Sequence, residues 1–150
     1  MAVTVQALSL DRLGDERRRN RAMAAWTDLQ TLRSVAASLA DGVDQVSIAR
    51  VLGISQPAVS KLACRARATV GLAERAPREV ILERAIGMIA DGAMLHQLRS
   101  WTYTPGYFED DDKVEPESYR PGLRDQLEEA VGEGLLTRVE FAQITGDPGS

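Results

Sequence analysis

A chain of 150 residues, 44% hydrophobic and 27% charged, has the composition of one globular domain or two small ones with a real core. No run approaches the roughly 18 apolar residues of a membrane span, the N-terminal basic cluster follows the apolar stretch instead of preceding it as in a secretory signal, and the lone Cys64 leaves no internal disulfide and no structural zinc site. The net charge of -4 conceals a division, with 11 Lys+Arg against 7 Asp+Glu over residues 1–75 and 7 against 15 over residues 76–150. A basic half joined to an acidic half fits two surfaces for different partners, one of them a polyanion; the plainer reading is an acidic half that keeps the chain soluble. The expected compartment is the reducing cytoplasm, with no membrane association.

Residues 2–10, AVTVQALSL, alternate weakly and are compatible with a strand, an arm or the lead-in to a helix. Residues 16–40 are helical by pattern, with Trp26, Leu29, Leu32, Val35, Ala36 and Leu39 on one face. Asp41 and Gly42 end that helix. Asp44 can cap a short helix over residues 45–52. Gly53 closes it, Ser55 caps a third helix that runs to about residue 68 or 70, and Pro57 is tolerated in its first turn. A fourth helix starts near Pro77 and is broken by Asp91 and Gly92, after which AMLHQLRSW predicts a fifth. Residues 101–122 are aromatic, acidic and rich in Pro and Gly, which predicts an extended segment longer than the loops of compact domains. LRDQLEEAVGEGLL is amphipathic, and Thr137 with Glu140 fits a capping box for a last helix, VEFAQI. The expected fold is mainly α: an N-terminal helix-turn-helix domain over residues 1–75, then a smaller, acidic helical region over residues 76–150 with the extended loop 101–122.

The most specific signal is QVSIARVLGISQPAVSKLAC, residues 45–64. Ala49 is small where two helices would cross, Gly53 suits a turn that needs positive φ, and Ile48, Leu52, Ile54, Val59 and Leu62 are apolar where the helices would pack. The stretch resembles the helix-turn-helix of bacterial and phage DNA-binding regulators. That resemblance implies double-stranded DNA as partner, with the second helix in the major groove and its N-terminal residues facing base edges. Gln56 is then the best-placed reader, since its amide can both donate to and accept from adenine. Ser55, Ser60 and Lys61 would read bases or grip phosphate, and Pro57 would offer an apolar edge to a thymine methyl. Arg50, Arg65 and Arg67 would hold phosphate, fixing register without reading sequence. The run Arg17, Arg18, Arg19, with Arg21, either extends that footprint or is a solvated face. Cys64 is expected to be a small, partly buried thiol, and Trp26 and Trp101 to be core anchors.

In the second half, Tyr107 and Phe108 precede four acids, Glu109, Asp110, Asp111 and Asp112. That surface suits a basic protein through aromatic anchors and complementary charge. The plan is similar to that of antitoxins, which repress their own operon and neutralise a toxin with an acidic segment; the alternative is an acidic loop packed on its own domain. Enzymatic readings find no nucleophile–base pair or paired acids. No cofactor and no metal is expected, because adjacent carboxylates on a loop lack a metal site's geometry. The sequence therefore predicts a transcriptional regulator, an autoregulatory repressor acting as a homodimer, with the dimer surface on the helices after Pro77. The competing prediction is a protein-interaction module in which the helix-turn-helix is scaffolding and no DNA is bound.

Overall fold

The computed structural model describes residues 2–69, 71–108, 119–120 and 122–146. Among them the chain is mainly α: seven helices and one antiparallel pair of two-residue strands. The first helix, α1, spans Ala2–Ala40, so the weakly alternating N-terminus is its lead-in. Residues 4–21 of this helix are exposed throughout. Beyond them the expected apolar face holds: Leu29, Leu32 and Val35 are buried, and Trp26, Ala36 and Leu39 pack beside them.

Helix α2 (Gln45–Leu52) starts on Asp44, whose carboxylate accepts from the Ser47 N–H at 2.7 Å. It stops at Gly53 in the left-handed region, φ 68° and ψ 32°. Ser55 then caps α3 (Gln56–Ala68), its hydroxyl accepting from the Ala58 N–H at 3.2 Å. Ile48, Ala49, Val59 and Val35 form the core that joins α1, α2 and α3. Leu52 and Ile54, expected inside, are instead 42% and 38% exposed. The turn falls at Gly53, between them, and both lie at the rim of this small core.

Helix α4 spans Pro77–Ala85 and α5 spans Asp91–Leu98. The expected break at Asp91 and Gly92 is thus misplaced. The chain leaves the helix at Ile86, followed by Gly87 with φ 84°, and Asp91 opens the next helix, where its charge suits the N-terminal end of the dipole. Strands β1 (Tyr107–Phe108) and β2 (Tyr119–Arg120) pair antiparallel, Tyr107 opposite Arg120 and Phe108 opposite Tyr119. Helix α6 spans Leu123–Gly132 and α7 spans Arg138–Thr145. Thr137 and Glu140 form the expected capping box, with N···O distances of 3.1 and 3.0 Å.

Helices α4 to α7 enclose a second core built on Ile81, Leu82, Met94, Leu98 and Leu127, into which α1 inserts Ala22 and Trp26. Helix α1 therefore threads the cores on both sides of residue 75. Two arginines fasten the connection between α3 and α4. Arg33 on α1 pairs with Glu79 and donates to the Leu72 carbonyl at 2.8 Å, and Arg75 pairs with Glu83 and with the Gln97 amide oxygen. Glu79 and Glu83 are 5% and 6% exposed, so their charges depend on these guanidinium partners. None of the described helices is long and apolar enough to cross a membrane.

Candidate nucleic-acid interface

Helix α3 packs on α1 and α2 through Val59, Ala63 and Ala66, which are buried, with Leu62 beside them. At about 100° per residue, the opposite sector carries Pro57, Ser60, Lys61, Cys64 and Ala68, all exposed. Gln56 is the first helical residue, exposed at the N-terminal edge of that sector. Gln56, Pro57, Ser60 and Lys61 thus share one open surface. Ser55 stands at its lip with one lone pair already engaged as the cap. Its O–H remains able to donate.

The arginines divide. Arg67 flanks the sector on the same side as Gln56 and Ser60 but in the last turn of the helix, and its guanidinium donates to the Cys64 sulfur at 3.4 Å. Arg65 lies on the other flank and pairs with Asp28 of α1 at 2.5 Å, both side chains about half exposed. An ion pair that open holds weakly, roughly 0–1 kcal/mol, so a phosphate can compete for the guanidinium. Arg50 is exposed on α2. Its charge, with the hydrogen bonds from Ser47 as the larger cause, helps hold the Asp44 carboxyl below the usual carboxylate range. Between Asp44 and Glu74 the sequence has four cations, Arg50, Lys61, Arg65 and Arg67, and no acid.

Cys64 corrects an expectation. It is exposed, in the middle of the outward sector, because positions 63 and 66 take the inward-facing turn. The Arg17–Arg21 run also stands apart from α3. At 1.5 Å per residue, Arg19 lies about 24 Å along α1 from Val35, which supports the α2–α3 core, and its guanidinium comes within 3.9 Å of a Cβ built on Gly87, the exposed glycine just after α4. Arg18 pairs with Asp15. Of the acidic surface, Tyr107 and Phe108 are 63% and 40% exposed on β1, while Glu109, Asp110, Asp111 and Asp112 lie outside the described residues. Trp26 and Trp101 both pack against the second core, as expected.

One feature of this half had no place in the motif. A groove of about 490 Å³ runs between α1 and α2, with Trp26, Val35 and Ile48 among its lining and Thr27, Thr31 and Ser34 along one wall. The hydroxyl-bearing residues at steps of four and three on α1 were the available sign of a narrow, uncharged helix face. Comparison of the chain with protein-family models, with curated proteins and with solved structures returns no match.

Proposed function

We propose that the chain is a sequence-specific DNA-binding transcriptional regulator, an autoregulatory repressor of the cytoplasm, with α3 as the helix that enters the major groove. The observation that carries this reading is the outward sector of α3: Gln56, Ser60 and Lys61 on one exposed surface, inside a stretch of 29 residues with four cations and no acid. The capped entry at Ser55 gives Gln56 a defined position, and a Gln amide matches the N6/N7 edge of adenine. Lys61, Arg67 and Arg50 supply phosphate contacts, and Arg65 joins them by exchanging Asp28 for phosphate. A two-fold dimer follows from the small number of bases one helix can read.

The test is fluorescence anisotropy with the DNA just upstream of the gene against a scrambled duplex, over a salt series. Four cations on each of two protomers give a log K against log salt slope of about -7. Gln56→Ala should cost about 1–3 kcal/mol of discrimination at one base pair. Lys61→Ala should weaken both duplexes alike and reduce the slope by about 1 for each protomer. Bound upstream DNA should also slow alkylation of Cys64, which lies between Lys61 and Arg67. No binding to either duplex at low salt removes this reading and leaves the interaction module.

A second activity has its own support. Tyr107 and Phe108 are exposed aromatics directly before four acids, which suits a basic protein surface such as a toxin.

A further inference from the structure

One side of α1 is open along almost its whole length. From residue 5 to residue 38, steps of three and four define a single stripe on the side turned away from the Leu29 and Leu32 contacts. The N-terminal half of the stripe alternates large apolar residues, Val5 at 64%, Leu13 at 61% and Met23 at 43% exposure, with Ser9, Glu16 and Asn20. The C-terminal half carries Thr27, Thr31, Ser34 and Ser38, which form one wall of the groove between α1 and α2. The threonine hydroxyls do not make that wall polar. Thr27 donates to the Met23 carbonyl at 2.9 Å and Thr31 to the Thr27 carbonyl at 3.1 Å, so both donors are turned back onto the helix. On the far side, Val43, Val51 and Leu52 add exposed apolar surface, Val51 at 85%.

One half of α1 thus carries apolar side chains that no other described residue covers, and the other half borders an apolar groove. We propose that the occupant of each is a second copy of this chain, its α1 laid antiparallel along the same stripe about a two-fold axis near residues 21 and 22, which puts the dimer surface on α1 in place of the helices after Pro77. The stripe maps closely onto itself under that operation: Val5 falls opposite Ser38, Ser9 opposite Ser34, Glu16 opposite Thr27 and Asn20 opposite Met23, while Leu13 falls opposite Gln30, one position before Thr31. Reciprocal exchange closes the pair, as an isologous interface requires. The strip is about 50 Å long and about 10 Å wide. With the α2 rim added, it approaches the roughly 800 Å² per partner of a standard stable interface. A partner along the uncovered half of α1 would also stabilise it, since most helical stability in proteins comes from the packing of one face.

The arrangement bears on the DNA reading without depending on it. Val35, beneath the α2–α3 unit, is about 20 Å along α1 from the axis, so the two units stand about 40 Å apart along the helix pair. That is near one turn of B-DNA, the usual half-site spacing.

The experiment uses the full chain without DNA, so its outcome is separate from the DNA test. Sedimentation velocity should find a dimer at micromolar concentration. Leu13→Glu and Ser34→Arg should each raise its dissociation constant at least tenfold with the helical circular dichroism unchanged. On a Cys64→Ser background, Ser9→Cys with Ser34→Cys should oxidise to a covalent dimer. The two positions are about 37 Å apart within one helix, too far to bridge in cis. Ser9→Cys alone should stay uncrosslinked. A monomeric wild type, a dimer indifferent to both substitutions, or ready crosslinking through Ser9→Cys alone would each overturn the proposal.

Discussion

A Cβ built on Gly53 meets nothing within 4 Å, so the need for glycine there comes from the backbone, which holds φ at 68°. Alanine in that region costs about 1–2 kcal/mol. Gly53→Ala should therefore lower the urea-unfolding free energy by about 1 kcal/mol, and Gly53→Asn by less, because Asn tolerates the left-handed region. Gly122 is needed for the other reason. Its φ is an ordinary -101°, but a Cβ would stand 2.2 Å from the Thr104 carbonyl oxygen and 2.8 Å from the Pro105 backbone. Neither neighbour is a flexible side-chain end. Gly122→Ala should cost about 3 kcal/mol, as overpacking does, and should separate the segment before β1 from the start of α6. If Gly53→Ala proves the more damaging of the two, then the dihedral cost at Gly53 outweighs the loss of space at Gly122. Trp26 supplies a third case at this scale, since its indole N–H is buried without an acceptor among the described residues. Trp26→Phe removes that orphan donor while keeping a ring in the core, so its net effect should stay within about 1 kcal/mol. Trp26→Ala, which leaves a cavity, should cost about 3–5 kcal/mol.

Among the elements, α2 and α3 each start on a single capping side chain. Ser55→Ala removes the acceptor for the Ala58 N–H and should cost about 1 kcal/mol by chemical denaturation. Ser55→Asp should restore most of it, through the same hydrogen bond and a favourable charge at the helix N-terminus. In the proposed reading it should nevertheless weaken DNA binding, by placing a carboxylate beside phosphate; equal binding by Ser55→Asp and wild type would move the DNA surface off α3. These ends were legible in the sequence because they are local: Asp44, Gly53, Ser55 and the Thr137–Glu140 pair each act within three or four residues. The break between α4 and α5 was not legible. Met88 and Ile89 continue the apolar spacing past the true end, and an Asp–Gly pair reads equally as a stop or as a helix's first turn. The Arg65–Asp28 pair spans 37 residues and the α1–α2 groove needs two helices placed together. No short-range pattern carries either. Cys64 was misjudged because a small thiol gives no sign of its side, although its neighbours Ala63 and Ala66 already fixed the buried turn.

At the scale of the whole molecule, the question is what makes one unit of the reading helices and the acidic half. Helix α1 belongs to both cores, and the Arg33–Glu79 and Arg75–Glu83 pairs tie it and the connection after α3 to α4. Glu79 also accepts from the Gln30 amide at 3.3 Å, so α1 and α4 meet through a buried carboxylate. The hydrogen bond from Arg33 is the main cause holding the Glu79 carboxyl below its ordinary 4.5, against the cost of burial. For Glu140 burial is the largest single influence and opposes ionisation, but Arg84 and the Thr137 cap outweigh it and the pKa is again lowered. A carboxylate whose folded pKa lies below its unfolded value stabilises the fold above the unfolded value and loses that contribution as pH falls through the folded one. Stability should therefore be level near neutrality and decline below about pH 4.5, with Glu79 responsible for part of the slope. Glu79→Gln leaves Arg33 without its counter-charge and should cost about 3 kcal/mol at pH 7. The gap to wild type should then narrow steadily as pH is lowered from 5 towards 2, because the wild-type carboxylate is being protonated there and the amide is not. Urea titrations followed by far-ultraviolet circular dichroism, which reports all the helices, and by tryptophan fluorescence, which reports Trp26 and Trp101 in the second core, give the gap for each part. If the gap is constant with pH, another group carries the acid limb. If it narrows in both signals together, Glu79 joins the two cores into one cooperative unit, and a change in the acidic half can reach α3 through Arg33 and α1.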